Sequence, residues 1–305
     1  MLSVSTTWNA LCYDNGGMIL TEIKSLGIDT VELGSSLTKR QVEDIVQFKK
    51  NGFCSISSVH NYCPVPDGFE SRIFTPDFFS LSSPDEAQRC KAVDLTVNTM
   101  RIARESGAQA VIIHAGRVEM EQRTKKLIEL YKQGCSETPA YLNLLSEMKK
   151  ERENKKAPYV AAILRSLEAL IPQAAQMDIK LCLENRFYYR EIPSFNEIGL
   201  LLNYFKGEDN LCYWHDVGHA QVGENLGFYC HLDFLKHYAE KMAGIHLHDV
   251  SGAKDHKVPG EGRFDFRSLK PYLKTNTIMV VEVHQPATVE ALKAGIGYLK
   301  SALGI

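Results

Sequence analysis

The chain has 305 residues, 44% hydrophobic and 24% charged, a globular balance that is long for one ordinary domain but usual for an α/β barrel. Its formal net charge is −2, so no basic field advertises nucleic acid or an anionic membrane surface. Met1-Leu2-Ser3-Val4-Ser5 lacks the pattern of a signal peptide, no apolar run approaches a membrane span, and the eight cysteines form no Cys-x-x-Cys pair, so a reducing cytoplasm is the expected location.

Short β-branched runs alternate with amphipathic helical stretches, the pattern of parallel strands joined by crossover helices. Strands are predicted at 2–6, 29–33, 54–60, 109–114, 179–184, 211–216, 243–248 and 277–283, with Cys54, Cys182 and Cys212 as small core residues. Eight such units closing on themselves give a single (β/α)8 TIM barrel over residues 1–305 with no open sheet edge. Thr38-x-x-Gln41, Ser83-x-x-Glu86 and Ser194-x-x-Glu197 read as capping boxes, the second with Pro84 at the first helical position. Val93, Val97 and Met100 make an apolar stripe that Gly107 ends, and Leu201, Leu202 and Phe205 do the same before Gly207. Residues 117–178 exceed what one crossover helix needs, and 117–157 are dense in Lys, Arg and Glu. They read as a charged helical insertion after the fourth strand, on the catalytic rim. A solvated decoration or a subunit contact is the plainer alternative, and the latter would make the chain a homo-oligomer.

Ionisable residues recur where strands end. The second strand ends at Glu32, the third at His60, the fourth at His114 and the fifth at Glu184. The sixth supplies Asp216 and His219, the seventh His246, His248 and Asp249, and the eighth Glu282. One histidine after an apolar strand is usually a hydrogen-bonded structural residue. Seven strands ending this way on one rim call for a cation, because converging buried carboxylates repel one another unless they are neutralised. With no cysteine cluster among them, carboxylate and imidazole ligands suit Mn2+, Co2+, Mg2+ or an open Zn2+ site.

In order and spacing, Glu184-Asn185, Asp216-x-x-His219, His246-x-x-Asp249, His256-Lys257-Val258-Pro259-Gly260-Glu261-Gly262 and Glu282 resemble the xylose-isomerase-like barrel superfamily. That superfamily includes sugar isomerases, ketose 3-epimerases, inosose dehydratases and endonuclease IV. The resemblance to its epimerase-type members implies one divalent metal held by Glu184, Asp216, His246 and Glu282. It also implies that Glu184 and Glu282 form an acid/base pair on opposite faces of a sugar, polyol or sugar-acid derivative. Elementary chemistry agrees: a proton taken from beside a carbonyl leaves an enediolate, which a Lewis acid stabilises and a second carboxyl group can reprotonate.

Endonuclease IV is the rival resemblance, implying hydrolysis of abasic DNA at three zinc ions. Its pattern takes in His60, His114, Asp216, His219, His246 and His256. It also has an Asp-x-His pair, whose first position here is Lys254 with Asp255 displaced by one, so a lysine would oppose the third cation. On the epimerase reading His60, His114, His219 and His248 serve the substrate or a second metal. His256 belongs with them and also steadies the loop of Gly260 and Gly262. Metal count separates the two. A barrel that only binds sugar would need no opposed glutamates.

Weaker signals complete the list. Gly260-Glu261-Gly262 reads either as a phosphate cradle or as a turn leading into Asp265-Phe266. Arg186 could contact substrate or pair with a rim carboxylate. Trp8 and Glu32 are expected to touch substrate, and Tyr62, Phe69 and the insertion lie in loops that would set specificity.

Overall fold

Strands hemmed between outer helices and a filled barrel interior must be apolar on both faces, and nearly every residue of the predicted strands is buried. The computed structural model describes residues 2–305. Its eight parallel strands are β1 (Leu2–Ser5), β2 (Thr30–Leu33), β3 (Ser55–His60), β4 (Ala110–Ile113), β5 (Lys180–Glu184), β6 (Leu211–Asp216), β7 (Met242–Leu247) and β8 (Ile278–Val281). Each pairs with the next in the chain, and β8 returns to β1 with Leu2 opposite Met279, closing a barrel. The fold is the (β/α)8 barrel expected.

Strand alternation builds the site on a packed floor. Ile112, Cys182, Trp214 and Val280 belong to one buried cluster, and each lies two residues before His114, Glu184, Asp216 and Glu282 respectively. Side chains two apart share a face, so the four polar residues stand in the layer above. Gly244 makes room for that floor. A Cβ there would lie 2.1 Å from the Trp214 ring.

Among the described residues ten α-helices surround the strands: α1 (Gly16–Ser25), α2 (Lys39–Lys50), α3 (Glu86–Ser106), α4 (Thr124–Lys132), α5 (Pro139–Lys155), α6 (Ala157–Met177), α7 (Phe195–Tyr204), α8 (Val217–Asn225), α9 (His231–Tyr238) and α10 (Val289–Leu303). Thr38 and Gln41 form the predicted capping box, and the Glu197 carboxylate accepts from the Ser194 amide at 2.8 Å. The reading at Ser83 is corrected. Asp85 caps α3, accepting from the Gln88 amide at 3.0 Å, while the Ser83 hydroxyl accepts from the Asp85 amide and Pro84 stays outside the helix. An aspartate one turn before an accessible amide is as good an N-cap as serine, and it stands closer.

The insertion consists of α4 and α5, separated by Gly134 at φ 74°, and α6 is the crossover helix proper. It is no solvated decoration. Leu127, Tyr141, Leu144 and Met148 pack against Val222, Leu226, Val250 and Ala253, which follow β6 and β7 on the C-terminal rim. Arg152 of α5 is buried, donating to both Glu197 oxygens at 2.7 and 2.8 Å and to the Glu191 carbonyl at 2.8 Å. Among the described residues no helix is long and apolar enough to cross a membrane.

Candidate active site

His246, next to last in β7, has no solvent exposure, and its two ring nitrogens meet different neighbours. Nε2 lies 3.2 Å from both oxygens of Glu32, itself buried and accepting from the Ser58 hydroxyl at 2.8 Å. Nδ1 faces the other way, 2.9 Å from Glu184 Oε1, 3.1 Å from Glu282 Oε2 and 3.6 Å from Asp216 Oδ2. Burial alone would lower the His246 pKa, but the Glu282 and Glu32 carboxylates outweigh it and hold it well above the ordinary value. Ligand atoms of Glu184, Asp216, His246 and Glu282 all lie within 4.8 Å of one another. One imidazole oriented by a carboxylate behind it, with three carboxylates in front, is a donor set that fits a divalent cation.

Asp216 is held from several sides. Its carboxylate accepts from the His219 amide at 2.7 Å and lies 3.0 and 3.1 Å from His248 Nε2. The Asn185 side chain accepts from the Asp216 amide at 2.8 Å and donates to its carbonyl at 2.9 Å. Burial would raise the Asp216 pKa, but His219 and His248 keep it well below the usual carboxylate range. His248 Nδ1 accepts from the His256 amide at 2.9 Å. Both nitrogens of His248 are thus engaged within the protein, and it is absent from the lining of the cavity that Glu184 and Glu282 reach, while with Asp216, His256 and Glu282 it forms a group able to hold a metal ion.

Three further groups adjoin the first, one of them Asp216, His248, His256 and Glu282. His60, His114 and Glu184 converge, with Glu184 Oε2 3.8 Å from His60 Nε2 and 2.8 Å from His114 Nε2. Arg186 donates to that same Oε2 at 2.9 Å and reaches Asp77 at 3.3 Å. The salt-bridge alternative is thus the one present at Arg186, although its side chain also faces the cavity. Glu184 stays well below the usual carboxylate range because His114, His246 and His60 outweigh its burial.

The remaining group is His219, Asp255 and His256. Asp255 Oδ2 stands 3.8 Å from His219 Nε2 and 3.1 Å from His256 Nδ1. The expected opposition from Lys254 is corrected, because Lys254 is exposed and Asp255 turns inward instead. The one-residue displacement is absorbed at the end of the hairpin Asp249–Ser251/Lys254–Lys257, where His256 adopts φ 50°. His256 does more than steady its loop. It lines the cavity, its ring stacked between His248 at 4.1 Å and His284 at 3.8 Å. Burial would lower its pKa, but the Asp255 carboxylate lifts it to about 9.

The glycine loop cradles an anion from within the chain. Asp249 Oδ2 accepts from the Gly260 amide at 2.8 Å, and Oδ1 accepts from the Val250 and Phe264 amides at 2.8 and 3.1 Å. A Cβ on Gly262 would lie 2.1 Å from Asp249 Oδ1, so glycine is needed for this close approach. The phosphate-cradle reading gives way to a turn built around Asp249.

A cavity of about 650 Å³ opens above these groups, reached by Trp8, His60, His114, Glu184, His219 and Glu282. The indole of Trp8 forms part of the wall, its Nε1 donating to the Ala287 carbonyl at 2.8 Å. Glu32 is corrected as a substrate contact, because it lies beneath His246 with no exposure. Tyr62 also stays out of the cavity, donating to the Phe79 carbonyl at 3.0 Å and packing with Phe74 and Phe79, as Phe69 does. Ser71, Arg72 and residues 74–77 of the loop after β3 roof the cavity. Three acids lining the cavity, Asp77, Glu191 and Asp255, were not among the predicted site residues, and Glu191 lies 3.7 Å from Arg186. Asp77 had no local signal, and Asp255 was legible only as a displaced neighbour of Lys254.

The family model described as xylose isomerase-like TIM barrel matches residues 20–302. No curated protein matches the chain in sequence. Among solved structures, 3-keto-D-glucoside 4-epimerase YcjR from E. coli is similar at 14% identity and TM-score 0.68, covering 98% of each chain. D-psicose 3-epimerase from Clostridium cellulolyticum H10, solved with D-tagatose, is similar at 13% identity and TM-score 0.67, covering 99% of each. The IOLI protein, solved with a bound zinc atom, is similar at 12% identity and TM-score 0.65, covering 99% of this chain and 98% of that one. At these identities the likeness is one of fold. With the family model spanning all but the two ends of the sequence, the chain belongs to the xylose isomerase-like TIM barrel family.

Proposed function

We propose that this barrel is a metal-dependent isomerase or epimerase of a sugar, polyol or sugar-acid derivative. The observation that carries the reading is that Glu184 and Glu282 both reach one cavity and both touch His246 Nδ1, at 2.9 and 3.1 Å. A divalent ion held by Glu184, Asp216, His246 and Glu282 would supply Lewis acidity for charge developing beside the reacting carbon. Glu282 takes the proton from the carbon next to the carbonyl, and Glu184 returns one on the other side. His114 and Arg186 hold Glu184 in place. Sugar epimerases among the similar structures support the substrate class.

A second reading is metal-assisted phosphodiester hydrolysis in the manner of endonuclease IV. What favours it is that the histidine groups around Glu184 and around Asp255 sit beside the first four ligands, enough for more than one ion. Against it stands the roofed cavity of about 650 Å³, sized for a small molecule rather than a duplex. Anomalous scattering from metal-loaded crystals separates them. One fully occupied ion at His246 is expected; three, one of them on His219, Asp255 and His256, would favour the hydrolase.

A further inference from the structure

We propose that Asp77 is a positioning residue, delivered by the loop after β3, which orients His114 and Arg186 around Glu184 and so couples closure of the roof to assembly of the reaction centre. The two histidines that flank Glu184 with hydrogen bonds each have a carboxylate on the opposite ring nitrogen. For His246 that carboxylate is Glu32, on β2, rigid and fully buried. For His114 it is Asp77, whose Oδ1 lies 3.0 Å from Nδ1 while Nε2 lies 2.8 Å from Glu184 Oε2. A carboxylate on one nitrogen fixes the tautomer and the tilt of the ring, so that the other nitrogen is aimed. One of the two partners is built into the barrel wall, and the other rides on a loop.

That loop is anchored by Phe74, buried against Tyr62 and Phe69, and meets the rim through polar contacts on either side of it. Arg186, which donates to Glu184, also meets both Asp77 oxygens at 3.3 and 3.4 Å. Arg117 donates to the Asp77 carbonyl at 3.4 Å, and Arg72 donates to the Leu11 carbonyl at 3.3 Å. Ser71, Arg72 and residues 74–77 line the cavity, so a molecule entering it displaces or passes them. When the roof lifts, Asp77 leaves and His114 loses the partner of Nδ1. Arg186 then keeps only Glu184 and Glu191. Closing over a substrate restores both.

The assignment rests on this cavity being the reaction site, but its test needs no substrate, so failure of the isomerase reading would leave it readable. Side-chain nitrogen resonances of 15N-histidine protein, metal-free at fixed neutral pH, are compared for wild type, Asp77→Leu and Glu32→Gln. His114 is assigned by its loss in His114→Gln. Asp77→Leu should move the His114 signals and leave those of His246, whereas Glu32→Gln should do the reverse. Amide exchange at residues 71–77 should quicken about tenfold in Asp77→Leu, as expected when charge-assisted bonds of a loop are removed. Asp77→Asn, which keeps the side-chain shape, is read where the leucine disturbs folding. Unmoved His114 signals in both variants would overturn the proposal, as would faster exchange alone, which marks a role in loop packing only.

Discussion

Glu32 and His246 meet inside the barrel wall, both carboxylate oxygens lying 3.2 Å from Nε2, so that Nδ1 is left to face Glu184, Glu282 and Asp216. The pair links strand register to chemistry, since β2 and β7 sit on different sides of the ring and only closure brings these residues together. Glu32→Leu should weaken Mn2+ or Zn2+ binding about 10–100-fold, the usual effect of losing the partner behind a metal-ligating histidine. Glu32→Gln should lose less, because its oxygen still accepts from Nε2–H. Calorimetric titration measures both, and unchanged affinity in Glu32→Leu would contradict the role.

Arg152 places the insertion within the rim. Removing it strands Glu197, which is buried and held below the usual carboxylate range because Arg152 outweighs its burial. Arg152→Met should cost about 3–5 kcal/mol in urea unfolding, as broken buried pairs do. Arg152→Met with Glu197→Met should recover part of that loss. A cost below about 1 kcal/mol, typical of exposed pairs, would make the insertion a surface decoration after all.

His231 lies away from the ligands, its Nε2 2.9 Å from His215 Nε2, its Nδ1 3.0 Å from Gln221 Oε1 and its ring stacked on Phe264. Burial lowers its pKa to about 3. Between pH 6.5 and 3 the unfolded chain therefore binds a proton that the folded chain refuses. Its contribution to stability is present above about pH 6.5 and is lost as pH falls, by about 1.4 kcal/mol per pH unit for one proton. Folding free energy measured from pH 6.5 to 4.5 should have a slope about one proton shallower in His231→Gln. An identical slope would mean that His231 is protonated in the native state.

The barrel was legible because its signals are local and repeated: β-branched runs, helix caps and turn residues at every unit. The residues at the strand ends were legible because parallel strands all point their C-terminal ends to one rim. Alternation along each strand says which residues share a face, but not what lies between two faces. Glu32 was therefore expected at the substrate and instead stands under His246, one layer down. Asp77 sits between Pro76 and Phe78 in a loop without periodicity, and only the folded path brings it to His114. Lys254 was matched by register, whereas the φ of 50° at His256 lets Asp255 take the inward position.

Glu184 and Glu282 should separate in mutation. Glu282→Gln, assayed at saturating metal, should slow proton exchange about 10²–10⁴-fold, the cost of one general base. Glu184→Gln should also loosen His114 and Arg186, which both meet Glu184 Oε2, at 2.8 and 2.9 Å, whereas both variants should weaken metal binding, since each glutamate belongs to two of the converging ligand groups. Wild-type exchange rates in Glu282→Gln would remove it as the base.

The most direct measurement incubates metal-loaded protein with a panel of ketoses, aldoses and sugar acids in D2O, following carbon-bound protons by NMR. The account predicts that at least one member takes up solvent deuterium at the carbon beside its carbonyl, that chelation of the metal stops it, and that Glu282→Gln slows it. No deuterium uptake by any member of the panel, together with metal-dependent cleavage of abasic DNA by the same preparation, would contradict it.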